Sequence, residues 1–190
     1  MELHSKDRFS KVAITDIAIS KIPRISYKGL TEEQNEMLYR LSRMVLIKAQ
    51  QENNSDESAF TIDLDDLDGR IGEINGTEHF VDIDADSTSY HLLRTGKNVA
   101  IVHNHPSTQT LSMEDVYFFL HYDTLRYIIV VSNQGTVHYM LKDLNFDVNA
   151  AAALGEECTQ DLTEDSDKKE HYNAALDFLA HCSEVGLYYR

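Results

Sequence analysis

The sequence predicts an α/β or α+β domain: a central mixed sheet flanked by helices, with a helical extension at the C-terminal end. Three observations predict it. A short, wholly apolar run at 99–102 and a second, largely apolar run at 127–132 read as buried strands of a covered sheet. Leu38, Leu41, Val45 and Ala49 repeat at helical spacing. Two prolines and eight glycines in 190 residues leave room for compact elements joined by short turns.

The elements follow in chain order. Residues 1–30 form a basic arm. Its first 28 residues carry Lys6, Arg8, Lys11, Lys21, Arg24 and Lys28 against Glu2, Asp7 and Asp16, near +3, which leaves the rest near −18. Ile14, Ile17, Ile19, Ile22 and Ile25, interrupted by Pro23, suggest a short strand or turn packed on the domain or on a partner. A helix starts at Thr31, where Gln34 stands at capping-box spacing and Glu32 and Glu33 suit the positive helix end. It should run to about Gln51, with Met37 and Met44 beside the apolar stripe. Residues 58–64 alternate as a strand, 65–69 form an acidic turn, and 70–74 a short strand. Asn75-Gly76 is a strong hairpin signal and predicts a return strand over 77–83. A short helix over 86–95 closes at Gly96, and the apolar strand at 99–102 follows. Ser112 opens a helix carrying Val116, Phe119 and Leu120. The strand at 127–132 turns at Asn133-Gln134-Gly135 into another over 136–142. Two helices, near 146–157 and 167–185, stop at Gly186. The tail Tyr188-Tyr189-Arg190 can dock on the body or on a partner.

Composition narrows the function. Thirty-two acids against 17 Lys and Arg give a net charge of −15. A body of that sign repels nucleic-acid backbones, so generic DNA or RNA binding is not expected. Cys158 and Cys182 make no disulfide framework, and a reduced, cytoplasmic compartment is the simpler reading. The N-terminus lacks the apolar core of a secretion signal, and no apolar run approaches the roughly 18 residues of a membrane span.

The segment His103-Asn104-His105-Pro106-Ser107 and onward to Ser112-Met113-Glu114-Asp115 carries the chemistry. His103 and His105 stand two apart at a strand end, so both imidazoles leave one face. Pro106 ends the ladder. Asp115, in the first turn of the next helix, can return towards them. Two imidazoles and a carboxylate suit Zn2+, with a fourth position left for water whose pKa zinc lowers to about 7. The bland reading of Ser112 and Asp115 is a helix N-terminus, since Ser at the cap and an acid three residues on is ordinary capping chemistry.

His-x-His-Pro, a short loop and Ser-x-x-Asp resembles the signature of the JAMM (MPN-plus) zinc metalloproteases. The form His-Asn-His-Pro-Ser is most similar to the RadC-like branch, and the arm and C-terminal helices resemble phage-associated members. The likeness covers residues 31–142 as the JAMM/MPN-like domain, with a cytidine-deaminase-like fold, and leaves 143–190 as a helical extension packed on it. It implies a bacterial or phage-encoded protein. It also implies that His103, His105 and Asp115 bind zinc, that Ser112 hydrogen-bonds the oxyanion, and that a glutamate at the start of the first strand acts as general base. Glu57 fits that place; Glu73 and Glu78 are its rivals, farther along in the hairpin. Six residues separate His105 from Ser112, one fewer than the commoner family spacing. The family's Trp and Gly-rich substrate loop is absent.

The resemblance thus implies hydrolysis of a peptide or isopeptide bond in a protein or peptide substrate. Its alternatives are a catalytically silent interaction module of the same fold and a RadC-like DNA-associated protein, which the acidic body opposes. A homo-oligomer is compatible with the sequence.

Overall fold

The computed structural model describes residues 9–190; the part of the arm before Phe9, with Lys6 and Arg8, lies outside the described residues. In chain order the elements are α1 (Asp16–Lys21), α2 (Glu32–Glu52), β1 (Ser58–Asp63), β2 (Gly72–Asn75), a 3-10 turn (Ile83–Ala85), α3 (Ser87–Thr95), β3 (Val99–His105), α4 (Met113–His121), β4 (Leu125–Ser132), β5 (Val137–Lys142), α5 (Val148–Thr159), α6 (Lys168–His181), a second 3-10 turn (Cys182–Val185) and β6 (Leu187–Tyr189). The strands form one mixed sheet in the order β2-β1-β3-β4-β5-β6. Only β3 and β4 run parallel, and α4 is the crossover between them.

Strand alternation decides the layers. Ile101, Ile128, Val130 and Met140 face one core with Leu93 of α3, Val116 and Phe119 of α4, and Phe178 of α6. Val102, Ile129, Val131 and Leu141 face the other, with Leu38, Leu41 and Val45 of α2. Helices therefore cover both faces of an α+β sheet, as the class predicts.

Local chemistry sets most element ends. The Thr31 hydroxyl accepts from Gln34 N–H and the Gln34 side chain accepts from Thr31 N–H, so the capping box at the head of α2 is complete. Asp86 caps α3, and Asp167 caps α6 with a reciprocal Glu170. Gly135, in the β4–β5 turn, takes φ +86°, and a Cβ there would also stand 2.3 Å from the Ala18 carbonyl.

Two expectations need correction, and one left open is decided. Residues 77–83 are not a strand. Neither Asn75 nor Gly76 takes the positive φ of a type I′ turn. The chain instead stays extended beside Glu57: Gly76 N–H donates to Glu57 O at 2.8 Å, and Glu57 N–H donates to Thr77 O at 2.9 Å. It then folds into a tight loop where Gly76 is needed, because a Cβ would meet Phe80 O at 2.3 Å. In the arm the short element is a helix, α1, with Thr15 accepting from Ala18 N–H as its cap. Ile14, Ile19, Ile22 and Tyr27 are buried in the α2-side core, so the described arm packs on its own chain. The tail, finally, is a sixth strand: β6 pairs antiparallel with β5, Tyr189 opposite Met140.

Candidate metal centre

On β3, Val99 and Ile101 face the α4-side core, and parity carries His103 and His105 to the same face. The strand holds through His105, which pairs with Ser132, so both imidazoles stand side by side. Pro106 follows and the chain leaves the sheet. The loop returns through buried Thr110 and Leu111 to Ser112, the N-cap of α4. The first turn of α4 then lays Asp115 against the two rings.

The three side chains converge. His103 Nε2 and His105 Nε2 are 3.1 Å apart. Asp115 Oδ1 lies 3.1 Å from His103 Nε2, and Asp115 Oδ2 lies 3.2 Å from His105 Nε2. Zinc–ligand distances of about 2.0–2.1 Å in a tetrahedron require ligand atoms about 3.3 Å apart. The observed edges are close to that, so the donor set fits a zinc ion by chemistry and by spacing. Among the described residues this is the one His/Cys/Asp/Glu group with such convergence. His103 Nδ1 is buried without a hydrogen-bond partner. An unpaired buried polar atom costs about 1–3 kcal/mol.

Charge follows the geometry. Burial works to raise the Asp115 carboxyl, but the two imidazoles outweigh it and hold the group well below the usual range. Burial works to lower His105, while Asp115, Glu57 and a hydrogen bond to the Thr110 backbone carry it up to about 9. An imidazolium at this place is what a cation would replace.

Ser112 realises the capping reading. Its N–H and its hydroxyl both donate to Asp115 Oδ2, at 2.7 and 2.8 Å, and Asp115 N–H donates back to Ser112 Oγ at 3.1 Å. The hydroxyl therefore points at the carboxylate while still lining the cleft. Capping and a role in the site are not exclusive here, because the cap is what aims Asp115.

Glu57 immediately precedes β1 and is only 8% exposed. It lines the same cleft as His103, His105 and Asp115. Burial raises its carboxyl to about 8, with His105 opposing and Asp115 and Asp56 adding to the rise. Glu73 goes elsewhere. It sits opposite Phe60 on β2, on the α2 side of the sheet, and pairs with Lys48 of α2. Glu78 lines the outer cleft from the 77–82 loop.

One group of residues had no role in the site from the sequence. Asn104, between the histidines, points to the opposite face. Its Oδ1 accepts Ser58 N–H at 2.8 Å, and its Nδ2 donates to Asp56 O at 3.1 Å and Asn133 Oδ1 at 2.8 Å. Asn133 Nδ2 donates to Ser55 O and to Val12 O. Asn53 Nδ2 donates to Glu57 O at 2.6 Å. Three asparagine amides thus hold the carbonyls of residues 55, 56 and 57, and the carboxylate-bearing segment is pinned by its backbone. Asn54 and Ser55 take φ of 49° and 61° in the same turn, a backbone conformation non-glycine residues rarely adopt. The only sequence signal was the Asn-rich run at 53–54 and the letter between two histidines.

A cleft of about 420 Å³ opens at the triad, lined also by Phe80, Met113 and Phe118 and by Lys168 and Tyr172 of α6. Phe9 of the arm meets Tyr172 edge to face, centroids 5.7 Å apart, so the arm and α6 share a wall. No family model matches the chain, and no curated protein or solved structure matches it.

Proposed function

We propose that this chain is a zinc-dependent hydrolase of the JAMM type that cleaves a peptide or isopeptide bond. One observation carries the reading: two imidazoles and a carboxylate meet at tetrahedral-edge spacing beside a buried glutamate, at the floor of a cleft. His103, His105 and Asp115 would hold the metal. Bound zinc supplies Lewis acidity that polarises a carbonyl and makes water nucleophilic near neutral pH. Glu57 accepts the proton of the attacking water on its carboxylate and returns it to the leaving amine. Ser112 donates its hydroxyl to the developing oxyanion by turning away from Asp115 Oδ2. The three asparagines keep Glu57 still while the proton moves.

The test measures metal content and peptide cleavage side by side. Wild-type protein loaded with zinc should carry one ion per chain, and His105→Ala and Asp115→Ala should carry none. Glu57→Ala should keep the ion and lose cleavage of a mixed peptide library by about 10²–10⁴, the usual contribution of a general base. Ser112→Ala should keep the ion and lose roughly 10²–10³ in rate. A wild type that takes up no zinc removes the reading. A wild type that takes up zinc and cleaves no peptide or isopeptide favours the silent interaction module.

A further inference from the structure

The described arm meets the candidate site along one short stretch. Residues 11–14 belong to no helix or strand, yet hydrogen bonds fix them to both halves of the site. Lys11 Nζ donates to Asp56 Oδ1 at 2.5 Å. Val12 N–H donates to Pro106 O at 2.8 Å, and Val12 O accepts from Asn133 Nδ2 at 2.8 Å. Ile14 N–H donates to Ser55 Oγ at 3.1 Å, and Gln50 Nε2 of α2 donates to Ile14 O at 3.2 Å. Pro106 directly follows His105, and Asp56 directly precedes Glu57. The stretch therefore spans from the end of the histidine strand to the turn that bears the glutamate, and Lys11 itself lines the cleft.

From this bridge we infer that Lys11 is a positioning residue for Glu57, acting through Asp56. The inference rests on the hydrolase reading of the site. Among the described residues no hydrogen bond holds the Glu57 carboxylate; what is held is the backbone of residues 55–57. A carboxylate placed in that way is only as fixed as the turn beneath it. That turn carries Asn54 and Ser55 at positive φ, a conformation that persists only where its surroundings hold it. The asparagines hold its carbonyls. Lys11 holds its charged side chain, and the Lys11 and Asp56 side chains are each only 22% exposed. Without the ammonium, the Asp56 carboxylate turns towards water, and the peptide it shares with Glu57 turns with it. Proton transfer tolerates little of this, since a misplacement of about 1 Å can cost about 10² in rate. An ion pair in partial contact with solvent adds little to global stability. Lys11 thus acts on rate far more than on folding.

The experiment uses the full chain with three substitutions. Lys11→Met keeps the aliphatic stem and removes the charge, and Lys11→Arg keeps the charge. Lys28→Met is the control: it removes an ion pair of the same arm, to Asp143, outside the cleft. Zinc affinity is measured by chelator competition, and kcat and KM on a peptide that the zinc-loaded wild type cleaves. Exchange of the Glu57 amide, which donates to Thr77 O, is followed by NMR on zinc-free protein. Lys11→Met should lower kcat about tenfold, with KM and zinc affinity within about twofold of wild type. It should speed the Glu57 amide exchange by about fivefold or more, with the melting temperature near that of wild type. Lys11→Arg should restore both rates, and Lys28→Met should move neither. A Glu57 exchange rate in Lys11→Met equal to wild type overturns the inference whatever kcat does. Faster exchange with an unchanged kcat overturns its bearing on the chemistry. A loss of zinc affinity in place of kcat also overturns it, because the bridge would then act on the histidines through Pro106. A wild type that cleaves no peptide removes the hydrolase reading, and the exchange measurement still decides whether Lys11 holds the segment that bears Glu57.

Discussion

His103 and His105 could be placed from the sequence because strand parity is a local rule, and Asp115 because a capping serine marks where α4 begins. Asn104 carries equal structural weight and was silent. Its partners Asp56, Ser58 and Asn133 lie 48, 46 and 29 residues away, and no local pattern announces them. The same parity that sends the histidines to one face sends Asn104 to the other, where a side chain with one acceptor and two donors matches what is there. Asn104→Ala leaves Ser58 N–H, Asp56 O and Asn133 Oδ1 without that partner inside the protein. At about 1–3 kcal/mol for each buried group left unsatisfied, partly relieved by the small cavity admitting water, the substitution should cost about 3 kcal/mol. A urea titration reads this as a lower midpoint at unchanged slope. A midpoint within error of wild type would mean the amide network is ornamental to the fold. Because the same amide holds the segment before Glu57, cleavage should fall further than the lost stability explains.

Elements that rest on near neighbours were legible. The caps of α2 and α4, the stop at Gly186 and the turn at Gly135 all act within a few residues. Two features that rest on distant pairing were not, although β1, β3, β4 and β5 were legible from their apolar or alternating runs. The Asn75-Gly76 cue was overridden because Glu57, already beside β2, offers a carbonyl and an N–H to the continuing chain. β6 went unseen because three residues carry too little alternation and its partner strand ends 45 positions earlier, at Lys142. Lys142 itself shows what β5 concedes to this packing. It is 2% exposed, donates to the Tyr122 carbonyl at 2.6 Å, and lies over the Phe119 and Phe146 rings at 4.8 and 5.2 Å. Burial pushes its ammonium down to about 8, against the opposing pull of Asp123. The unfolded chain holds that proton up to about pH 10.4. Below pH 8 both states are charged and the fold bears the whole burial cost. Between pH 8 and about 10.4 only the unfolded state keeps the proton, so this group makes stability rise with pH there. Lys142→Met should therefore stabilise the protein by about 1–3 kcal/mol at pH 7 and show a smaller advantage at pH 10. Thermal melts of both proteins at the two pH values check the sign. An advantage that grows with pH would show that the ammonium is not desolvated as its surroundings imply.

At the scale of the whole molecule, the two ends of the chain complete what the middle begins. The resemblance covers residues 31–142, with residues 143–190 expected to pack on that segment and the arm on the domain or on a partner. The cores show how much the two flanks bring. Ile14, Ile19, Ile22 and Tyr27 of the arm are buried against α2, and Phe178, Leu179, Val185 and Leu187 of the C-terminal part are buried against α4 and the sheet. Fully burying a side chain of this size contributes roughly 1.5–3 kcal/mol. Four such residues at either end equal the net stability of a typical domain, about 5–15 kcal/mol. Both ends also touch the site: Val12 N–H donates to Pro106 O at 2.8 Å, directly after the histidine strand, and Tyr189 holds Thr110. A fragment of residues 31–142 should consequently fail to unfold cooperatively, expose apolar surface to a hydrophobic dye, and bind zinc far more weakly than the intact chain. Calorimetry, dye fluorescence and chelator competition on the fragment and the intact chain make the comparison. A fragment that melts in one sharp transition and binds zinc as the intact chain does would show that the central segment is a self-sufficient domain. The flanking helices and β6 would then be decoration on a site the middle of the chain builds by itself.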